Sequence, residues 1–161
     1  MTRARGADAG WRRLVRHSYR LGGRWLASGA SRGWRPARPG LNRLMVPLDP
    51  WRFYELGRVA EADLPGRNLD VSSPKLLASL LSHEGRGSWV AVDLFAQEVD
   101  VWRRLDPDLD LRVEDARALS FPDASFDGCV CVSVVEHIPG DGDARAMAEI
   151  WRVLRPGGVP T

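Results

Sequence analysis

Residues 111–158 constrain the fold of this 161-residue chain more than any other stretch. Its centre, residues 128–135, is almost wholly apolar and is bounded by turn residues. Such a run is typical of a strand buried on both faces of a parallel sheet. A short alternating strand over residues 111–113 precedes it, and an amphipathic helix over about residues 143–154 follows it. The order strand, loop, strand, helix predicts an α/β fold.

The preceding residues add two more strands to this pattern. Residues 68–71 predict a short strand followed by a turn and an apolar helix, and residues 87–95 predict another strand, with a helix over residues 97–105 after it. Acidic residues stand where three of the strands end: Asp70, Asp93 and Asp115. Ligands of doubly wound sheets bind at the carboxyl ends of the strands. We therefore expect the three carboxylates to face one crevice.

Several short motifs carry a family resemblance, although each of them alone is weak. In this order and at this spacing, they make residues 68–158 resemble the class I S-adenosylmethionine-dependent methyltransferases, in particular the small-molecule branch called type 11. The motifs are Glu114-Asp115-Ala116, Leu119-Ser120-Phe121-Pro122-Asp123, Ser125-Phe126-Asp127, Val135-Glu136-His137-Ile138 and Arg152-Val153-Leu154-Arg155-Pro156-Gly157-Gly158.

The resemblance implies a Rossmann-like, doubly wound, mostly parallel sheet that binds S-adenosylmethionine. It implies that Asp93, with Leu94 beside it, accepts hydrogen bonds from the ribose hydroxyls, although an acidic residue at a strand end can also be only a turn former. Asp115 is then expected at the adenine amino group, with the backbone N–H of Ala116 at the ring. Ser133 is expected near the methionine end of the cofactor.

The turn after the first strand departs from the family pattern. Asp70 matches the family's acidic position, but Ser72, Ser73 and Pro74 stand where glycines allow a close backbone approach to the ligand. Either serine is a suitable N-cap and Pro74 a suitable first helical residue. The free N–H groups of that helix start can still bind the methionine carboxylate. The alternative is a helix start without a ligand role.

The sequence assigns no catalytic residue firmly. Glu136 and His137 are weak candidates for handling the substrate or a proton, and a structural role for them is favoured. No metal site is expected, because a bound metal normally needs three or more protein ligands. Cys129 and Cys131 lie on the apolar strand and are interpreted as buried, unbridged thiols, which favours a reducing compartment.

The N-terminal part of the chain is strongly basic. Residues 1–45 carry a net charge of +10 and residues 46–161 carry −8. Residues 1–40 are interpreted as a partly mobile extension, with an amphipathic helix over residues 11–26 that Gly22 and Gly23 interrupt and a linker over residues 28–40. Contact with an anionic membrane surface is one alternative. Nucleic acid is not expected as a partner, because no recognised nucleic-acid module is present.

Residues 41–67 form a lead-in with a helix over residues 51–61, for which Asp49 is the expected cap. No apolar run approaches the roughly 20 residues of a membrane span, and there is no secretory signal. The predicted location is therefore the cytoplasm, with peripheral contact at the inner membrane surface as the alternative.

The sequence after Gly158 departs from the family a second time. Val159-Pro160-Thr161 stands where the family has a fifth, alternating strand, and proline cannot donate to a central ladder. Residues 68–161 are therefore predicted as a partial methyltransferase domain with strands one to four, lacking strands five to seven. The fourth strand would then be an exposed apolar edge.

The predicted function is S-adenosylmethionine-dependent methyl transfer to a small-molecule or lipid-like acceptor. The alternative is a non-catalytic or inactive truncated form of such an enzyme. A nicotinamide-dependent oxidoreductase is disfavoured, because the glycine fingerprint for the pyrophosphate is absent. The sequence leaves the acceptor, the general base and the oligomeric state open.

Overall fold

A computed structural model describes residues 2–28, 34–45, 50–71 and 75–161. The chain divides into two compact units. One comprises Met1–Ala62 with Val101–Pro107, and the other comprises Asp63–Asp100 with Asp108–Thr161. The units are described separately below.

The larger unit is built on a parallel sheet in the order β3-β2-β1-β4-β5. The bounds of its elements are β1 Arg67–Asp70, α4 Leu76–His83, β2 Ser88–Asp93, α5 Ala96–Leu105 (which continues into the other unit), β3 Asp110–Val113, β4 Phe126–Val130, a 3₁₀ turn Val135–His137, α6 Gly142–Val153 and β5 Leu154–Pro160. Sequence reasoning predicted this α/β, Rossmann-like class, and the prediction is confirmed.

The core of this unit is formed by apolar side chains of the strands and of helix α6. In β1 and β2, the residues on both faces of the sheet are buried, as expected for central strands of a parallel sheet. Phe121 packs edge-to-face on Phe126 with ring centroids 5.0 Å apart. The core comprises Leu69, Val71, Val90, Val92, Leu119, Phe121, Phe126, Cys129, Ile150, Val153 and Leu154.

The apolar run over residues 128–135 contributes only its first residues to a strand, β4. β4 ends at Val130, and residues 131–134 lie outside regular structure before the 3₁₀ turn. The prediction of a strand over residues 128–135 is therefore wrong at its C-terminal half. The hydrophobicity of residues 132–135 reflects packing of a loop near the core, where Val134 lies partly buried against it. Apolar content alone does not separate these two cases.

A fifth strand is present, and the prediction that the sheet lacks it is wrong. β5 pairs in parallel with β4, with Gly128 opposite Val159 and Cys129 opposite Pro160. The amide of Thr161 donates to the carbonyl of Cys129 at 2.8 Å, and the amide of Cys131 donates to the carbonyl of Thr161 at 3.0 Å. Consecutive residues of a strand turn their amides to opposite sides, so the nitrogen of Pro160 faces the open side of β5. Proline is tolerated at that side of an edge strand, and β4 is not an exposed edge.

Helix α4 begins at Leu76, with Lys75 at its cap position. Pro74, the expected first helical residue, lies outside the described residues. The expected capping serines, Ser72 and Ser73, lie outside the described residues.

In its described residues, the smaller unit contains α1 Thr2–Ala27, α2 Trp34–Met45 and α3 Pro50–Val59, together with the C-terminal part of α5. The apolar side of α1 is buried in this unit, with Leu14, Leu21 and Trp25 at 6% exposure or less. The prediction of a linker over residues 28–40 is wrong for residues 34–40, because these residues are helical despite Pro39. Tertiary packing of a helix outweighs the intrinsic preferences of its residues here.

Helix α1 continues through Gly22 and Gly23, which were expected to interrupt it. Gly22 faces α2 so closely that an added Cβ would lie 2.7 Å from the carbonyl oxygen of Gly40. Gly23 faces open space, with nothing within 4 Å of such a Cβ. One glycine therefore permits the close approach of two helices, and its neighbour has no packing role.

These neighbours give a stability prediction with opposite signs. Gly22→Ala is expected to destabilise the chain by about 1–3 kcal/mol, because the new methyl group overlaps the α2 backbone. Gly23→Ala is expected to stabilise it by about 0.5–1 kcal/mol, because alanine is the better helix former at an exposed position. Urea denaturation followed by circular dichroism measures both. Equal effects of the two substitutions would contradict the α1–α2 packing.

The lead-in helix α3 lies within the predicted residues 51–61 apart from its first residue, and Leu56 and the adjoining Ala60 are buried. Its expected cap, Asp49, lies outside the described residues. That residues 1–40 are partly mobile in solution stays a prediction, which amide hydrogen exchange would test. Within the described part of the chain, none of the helices is both long enough and apolar enough to cross a membrane.

Candidate functional site

A cavity of about 570 Å³ lies in the larger unit at the carboxyl ends of the strands. This volume falls in the range of about 300–1,000 Å³ that is typical of small-molecule sites. The position is the one at which doubly wound sheets bind ligands. Its walls are mainly apolar with several ionisable groups: Val71, Val92, Asp93, Leu94, Phe95, Glu98, Glu114, Asp115, Ala116, Arg117, Ser133, Val134, His137, Ile138 and Pro139.

Asp93 ends β2, and its carboxylate is held from two sides. The Oδ1 atom accepts a hydrogen bond from the backbone N–H of Phe95 at 3.0 Å. The Oδ2 atom lies 3.3 Å from the Nζ of Lys75, which is only 2% exposed. Lys75 was missed as a site residue. The available signal was its position, since the chain's single lysine directly follows the atypical Ser72-Ser73-Pro74 turn.

Asp115 follows β3 and is paired with Arg117, another residue that sequence reasoning missed. The Arg117 Nη2 donates to Asp115 Oδ2 at 2.6 Å, and the Arg117 backbone N–H donates to Oδ1 at 2.9 Å. These hydrogen bonds, the side-chain ones first, lower the pKa of Asp115 to about 2. The carboxylate is therefore ionised at any pH at which the chain is expected to work.

The Asp115–Arg117 pair gives a pH prediction. Because the pKa of Asp115 is lowered in the folded chain, the pair stabilises the fold above the ordinary aspartate pKa of about 3.9, and this stabilisation is lost as the pH falls towards about 2. Arg117→Met is expected to raise the pKa of Asp115 part of the way to its ordinary value, since the backbone hydrogen bond remains. Carbon-13 carboxyl NMR measures this pKa.

Arg112→Met is the matched control for that titration. Arg112 pairs with Asp110, at the opposite end of β3 from Asp115. Its replacement is expected to leave the pKa of Asp115 unchanged. An unchanged pKa of Asp115 in Arg117→Met would contradict the pairing in the structure.

Arg152 of helix α6 fixes the loop between β3 and β4. Its guanidinium donates to the carbonyl oxygens of Leu119 at 2.9 Å and Phe121 at 2.8 Å and to the carboxylate of Asp123 at 2.7 Å. It also donates to both carboxylate oxygens of Glu149 at 2.8 Å, and Glu149 in turn accepts from the Leu119 N–H at 2.8 Å. Arg152 therefore fixes residues 119–123, which connect Asp115 at the cavity wall to strand β4.

Ser133 lies in the loop after β4 and lines the cavity. Its φ of 53° places it in the left-handed region, which is uncommon for a residue other than glycine. Backbone strain of this kind is more frequent at functional sites than elsewhere, although Ala124, outside the cavity lining, shares it with a φ of 50°. Ser133 therefore combines a strained backbone with a position in the cavity lining, and its place near the methionine end of the cofactor stays a prediction.

The two weak catalytic candidates are both well exposed. His137 lines the cavity with 76% of its side chain exposed, and Glu136 is 52% exposed and outside the lining. The His137 Nε2 lies 3.9 Å from Glu136 Oε1, which is longer than a hydrogen bond.

The residues predicted at the first strand are positioned differently from the rest. Asp70 is fully buried at the end of β1 and does not line the cavity, whereas its neighbour Val71 does. Ser72 and Ser73 lie outside the described residues. Of the predicted cofactor-binding set, the structure brings Asp93, Leu94, Asp115, Ala116 and Ser133 together around one cavity.

The two cysteines are unbridged, as predicted. Cys129 is buried in β4 and Cys131 is partly buried just beyond the strand. Burial raises the pKa of the Cys129 thiol strongly and that of Cys131 to about 11. Both are therefore thiols rather than thiolates at neutral pH, which disfavours either as a nucleophile.

Comparison with known proteins assigns this arrangement to a family. Residues 69–160, more than half of the chain, match the type 11 family described as a methyltransferase domain. The chain belongs to this family. The cofactor of the family is S-adenosylmethionine, as the resemblance of the motifs implied.

Relatives and solved structures agree with the assignment. A demethylmenaquinone methyltransferase of Deinococcus radiodurans is 31% identical over 146 residues, which cover 87% of this chain and 52% of that protein. The YcgJ protein of Bacillus subtilis is 25% identical with a TM-score of 0.54, over 65% of this chain and 47% of that one. The [4+2]-cyclase SpnF is 26% identical with a TM-score of 0.56, over 65% and 42%.

This chain spans 26% to 52% of the length of four curated relatives that it matches. The matching segment includes the strand ends that surround the cavity.

Proposed function

We propose that this chain binds S-adenosylmethionine in the cavity at the carboxyl edge of its sheet and takes part in methyl transfer to a small-molecule or lipid-like acceptor. The observation that carries the proposal is that two carboxylates, Asp93 at the end of β2 and Asp115 just after β3, line the same mainly apolar cavity of suitable size. This donor set fits the cofactor, since a nucleoside needs polar partners for its hydroxyl and amino groups and apolar walls for its ring.

Each residue has a proposed role in holding the cofactor. Asp93 accepts hydrogen bonds from the ribose hydroxyls, and Asp115 accepts from the adenine amino group while the Ala116 N–H donates to the ring. Leu94 and Val134 cover apolar faces, and Leu94 is 53% exposed without a ligand. A nucleoside laid against Leu94 would remove that apolar surface from water.

Two further predicted contacts concern the methionine end. Ser133 is proposed to lie beside it. Ser72 and Ser73, which precede α4 in the sequence, are proposed to offer backbone N–H groups to the methionine carboxylate, a role that rests on the resemblance and on helix-terminus chemistry.

When bound, the cofactor would supply a methyl group activated by its positively charged sulfur: the acceptor atom would bond to the methyl carbon as the carbon–sulfur bond breaks, and the neutral thioether S-adenosylhomocysteine would leave. The protein's contribution is to hold donor and acceptor in line and to exclude water, and orientation alone is worth up to about 7–11 kcal/mol in well-oriented systems. A general base is needed only for an acceptor whose proton is tightly held. His137, which lines the cavity and carries an imidazole that can take up a proton, is the candidate for that task.

An apolar acceptor is favoured by the composition of the rim. Phe95 is 61% exposed and lines the cavity together with Ile138 and Pro139. Exposed apolar side chains beside a cavity are typical of binding surfaces for apolar ligands. Relatives named demethylmenaquinone methyltransferases from two bacteria support an acceptor of lipid-like character.

The test of the function is transfer of an isotope-labelled methyl group from S-adenosylmethionine to demethylated quinol acceptors and other lipid-like phenols, with the product identified by mass spectrometry. The proposal expects a labelled product that is absent without protein. Because SpnF shares the fold under the name of a cyclase, binding of the cofactor alone is not sufficient evidence. A folded chain that binds the cofactor without transferring the methyl group to any acceptor would support the non-catalytic alternative.

Contact with an anionic membrane surface is proposed through charge alone. The apolar side of α1 is buried within the smaller unit, so it is not available for insertion. Over residues 9–27, where the side chains of this helix are described, four arginines are exposed: Arg12, Arg16, Arg20 and Arg24. Clustered exposed arginines attract anionic lipids, each contributing up to about 1 kcal/mol.

A variant in which all four arginines are changed to glutamine is expected to co-sediment less with vesicles that contain anionic lipid. The loss should grow smaller as salt is raised, since salt screens the attraction in the unmodified chain. Neutral vesicles are the control. Equal sedimentation of the chain and the variant with anionic vesicles would refute membrane contact by this helix.

A further inference from the structure

Lys75 is the only lysine of the chain, and it is buried. It occupies the cap position of α4, between the atypical turn and the helix, with 2% of its side chain exposed. A buried ammonium group is costly unless it is paired and hydrogen-bonded. The chain otherwise uses arginine for its positive charges, and arginines are mostly at its surface. The compact, flexible lysine side chain is suited to a narrow internal position.

Two contacts of the Lys75 ammonium group lie at the end of β2. Its Nζ donates to the backbone carbonyl oxygen of Val92 and lies 3.3 Å from Asp93 Oδ2. The other carboxylate oxygen of Asp93 accepts from the Phe95 N–H at 3.0 Å. The carboxylate is therefore fixed at both oxygens, one by a side-chain cation and one by the backbone. Asp93 itself is 12% exposed and forms part of the cavity wall.

We infer that Lys75 is a positioning residue that holds the carboxylate of Asp93 in the orientation needed to accept a vicinal diol. This inference rests on the proposed function. Two neighbouring hydroxyl groups need an acceptor whose two oxygens point in set directions. A carboxylate that rotates freely in the unbound protein must be fixed in one orientation when the ligand binds, and the lost rotational freedom lowers the affinity. Lys75 removes this cost because it fixes the acceptor from the protein side before the ligand arrives.

A purely structural role for Lys75 makes a different prediction. A lysine that only joins the start of α4 to the end of β2 would, when replaced, weaken all ligands of the cavity alike. A lysine that acts through Asp93 would, when replaced, weaken only ligands that carry the diol. Adenosine and 2′,3′-dideoxyadenosine separate these cases, because they share the adenine ring and differ in the two hydroxyl groups.

The experiment measures the affinity of both nucleosides for the full chain, for Lys75→Met, for Asp93→Asn and for the double variant. The unmodified chain is expected to prefer adenosine by about tenfold to a hundredfold, the amount that hydrogen bonds to a charged group contribute. Lys75→Met is expected to lose most of that preference while its affinity for dideoxyadenosine stays within about threefold. In the Asp93→Asn background, Lys75→Met is expected to have no further effect, since residues that act as a unit are not additive.

The outcomes separate the inference from the proposed function. If the unmodified chain prefers adenosine and Lys75→Met keeps that preference, the inference is overturned and the proposed function stands. If the unmodified chain binds neither nucleoside, or binds both equally, the proposed ribose contact fails and the inference fails with it.

A second measurement uses the unmodified chain and covers the case in which Lys75→Met does not fold. Because there is one lysine, protein labelled with carbon-13 lysine gives a single side-chain εCH₂ signal in NMR. Adenosine is expected to shift this signal, since it shares the Asp93 carboxylate with Lys75. Dideoxyadenosine at the same occupancy is expected to shift it much less. Equal shifts with both nucleosides would overturn the inference.

Discussion

Asp93→Ala is expected to weaken binding of S-adenosylmethionine by at least about a hundredfold. The substitution removes the acceptor of two charge-assisted hydrogen bonds, and each of these is worth about 1.5–3 kcal/mol. It also leaves Lys75 buried beside the vacated position, 3.3 Å from where the carboxylate oxygen lay. Isothermal titration calorimetry of the chain and the variant measures the loss, and circular dichroism shows whether the variant is folded.

Two variants control this measurement. Asp93→Asn keeps the shape of the side chain but not its charge, and it is expected to lose affinity with less effect on stability. Asp110→Ala removes a carboxylate from the first residue of β3, outside the cavity lining, and is expected to bind normally. An affinity of Asp93→Ala within about threefold of the unmodified chain would show that the ribose is not held at the end of β2.

Arg152→Met is expected to lower the melting temperature by roughly 5–10 °C. Arg152 satisfies two loop carbonyl oxygens, those of Leu119 and Phe121, and ion-pairs with Glu149 and Asp123. Methionine fills similar space but donates no hydrogen bond, so these acceptors lose their partner. Thermal unfolding followed by circular dichroism measures the shift.

Arg145→Met is the matched control for Arg152→Met, because Arg145 is exposed on the same helix. It is expected to leave the melting temperature nearly unchanged. The pKa of Glu149, which its hydrogen bonds from Arg152 lower, is expected to rise in Arg152→Met and to stay low in Arg145→Met. Similar melting temperatures for the two variants would contradict the role of Arg152 in fixing the loop.

The sheet was largely predictable because its signals are local. The apolar runs before Asp70 and Asp93 mark the strands β1 and β2, which have neighbouring strands on both sides and are largely buried. The alternating run before Asp115 marks β3, which lies at the edge of the sheet and is only partly buried. The strand ends then follow from the positions of the acidic residues. The five site residues now found around one cavity were named from those ends together with the family motifs.

Other features depend on contacts between distant residues and gave no local signal. Pro160 argued against a strand, yet β5 tolerates it because the proline nitrogen faces the open side of the sheet. Pro39 and Gly40 suggested a linker, yet α2 is stabilised by packing against α1, where Gly22 allows a close approach. Nothing in the local sequence assigned a role to Lys75, whose Nζ donates to the carbonyl oxygen of Val92 in β2.

The measurement that tests the central claim most directly is calorimetric titration of the folded 161-residue chain with S-adenosylmethionine, made at two temperatures so that a small enthalpy at one of them is not mistaken for absence of binding. We expect saturable binding of one cofactor per chain, and we expect adenosine to compete with the cofactor for the cavity. A folded chain that gives no binding heat at either temperature would contradict the assignment of this cavity to the cofactor.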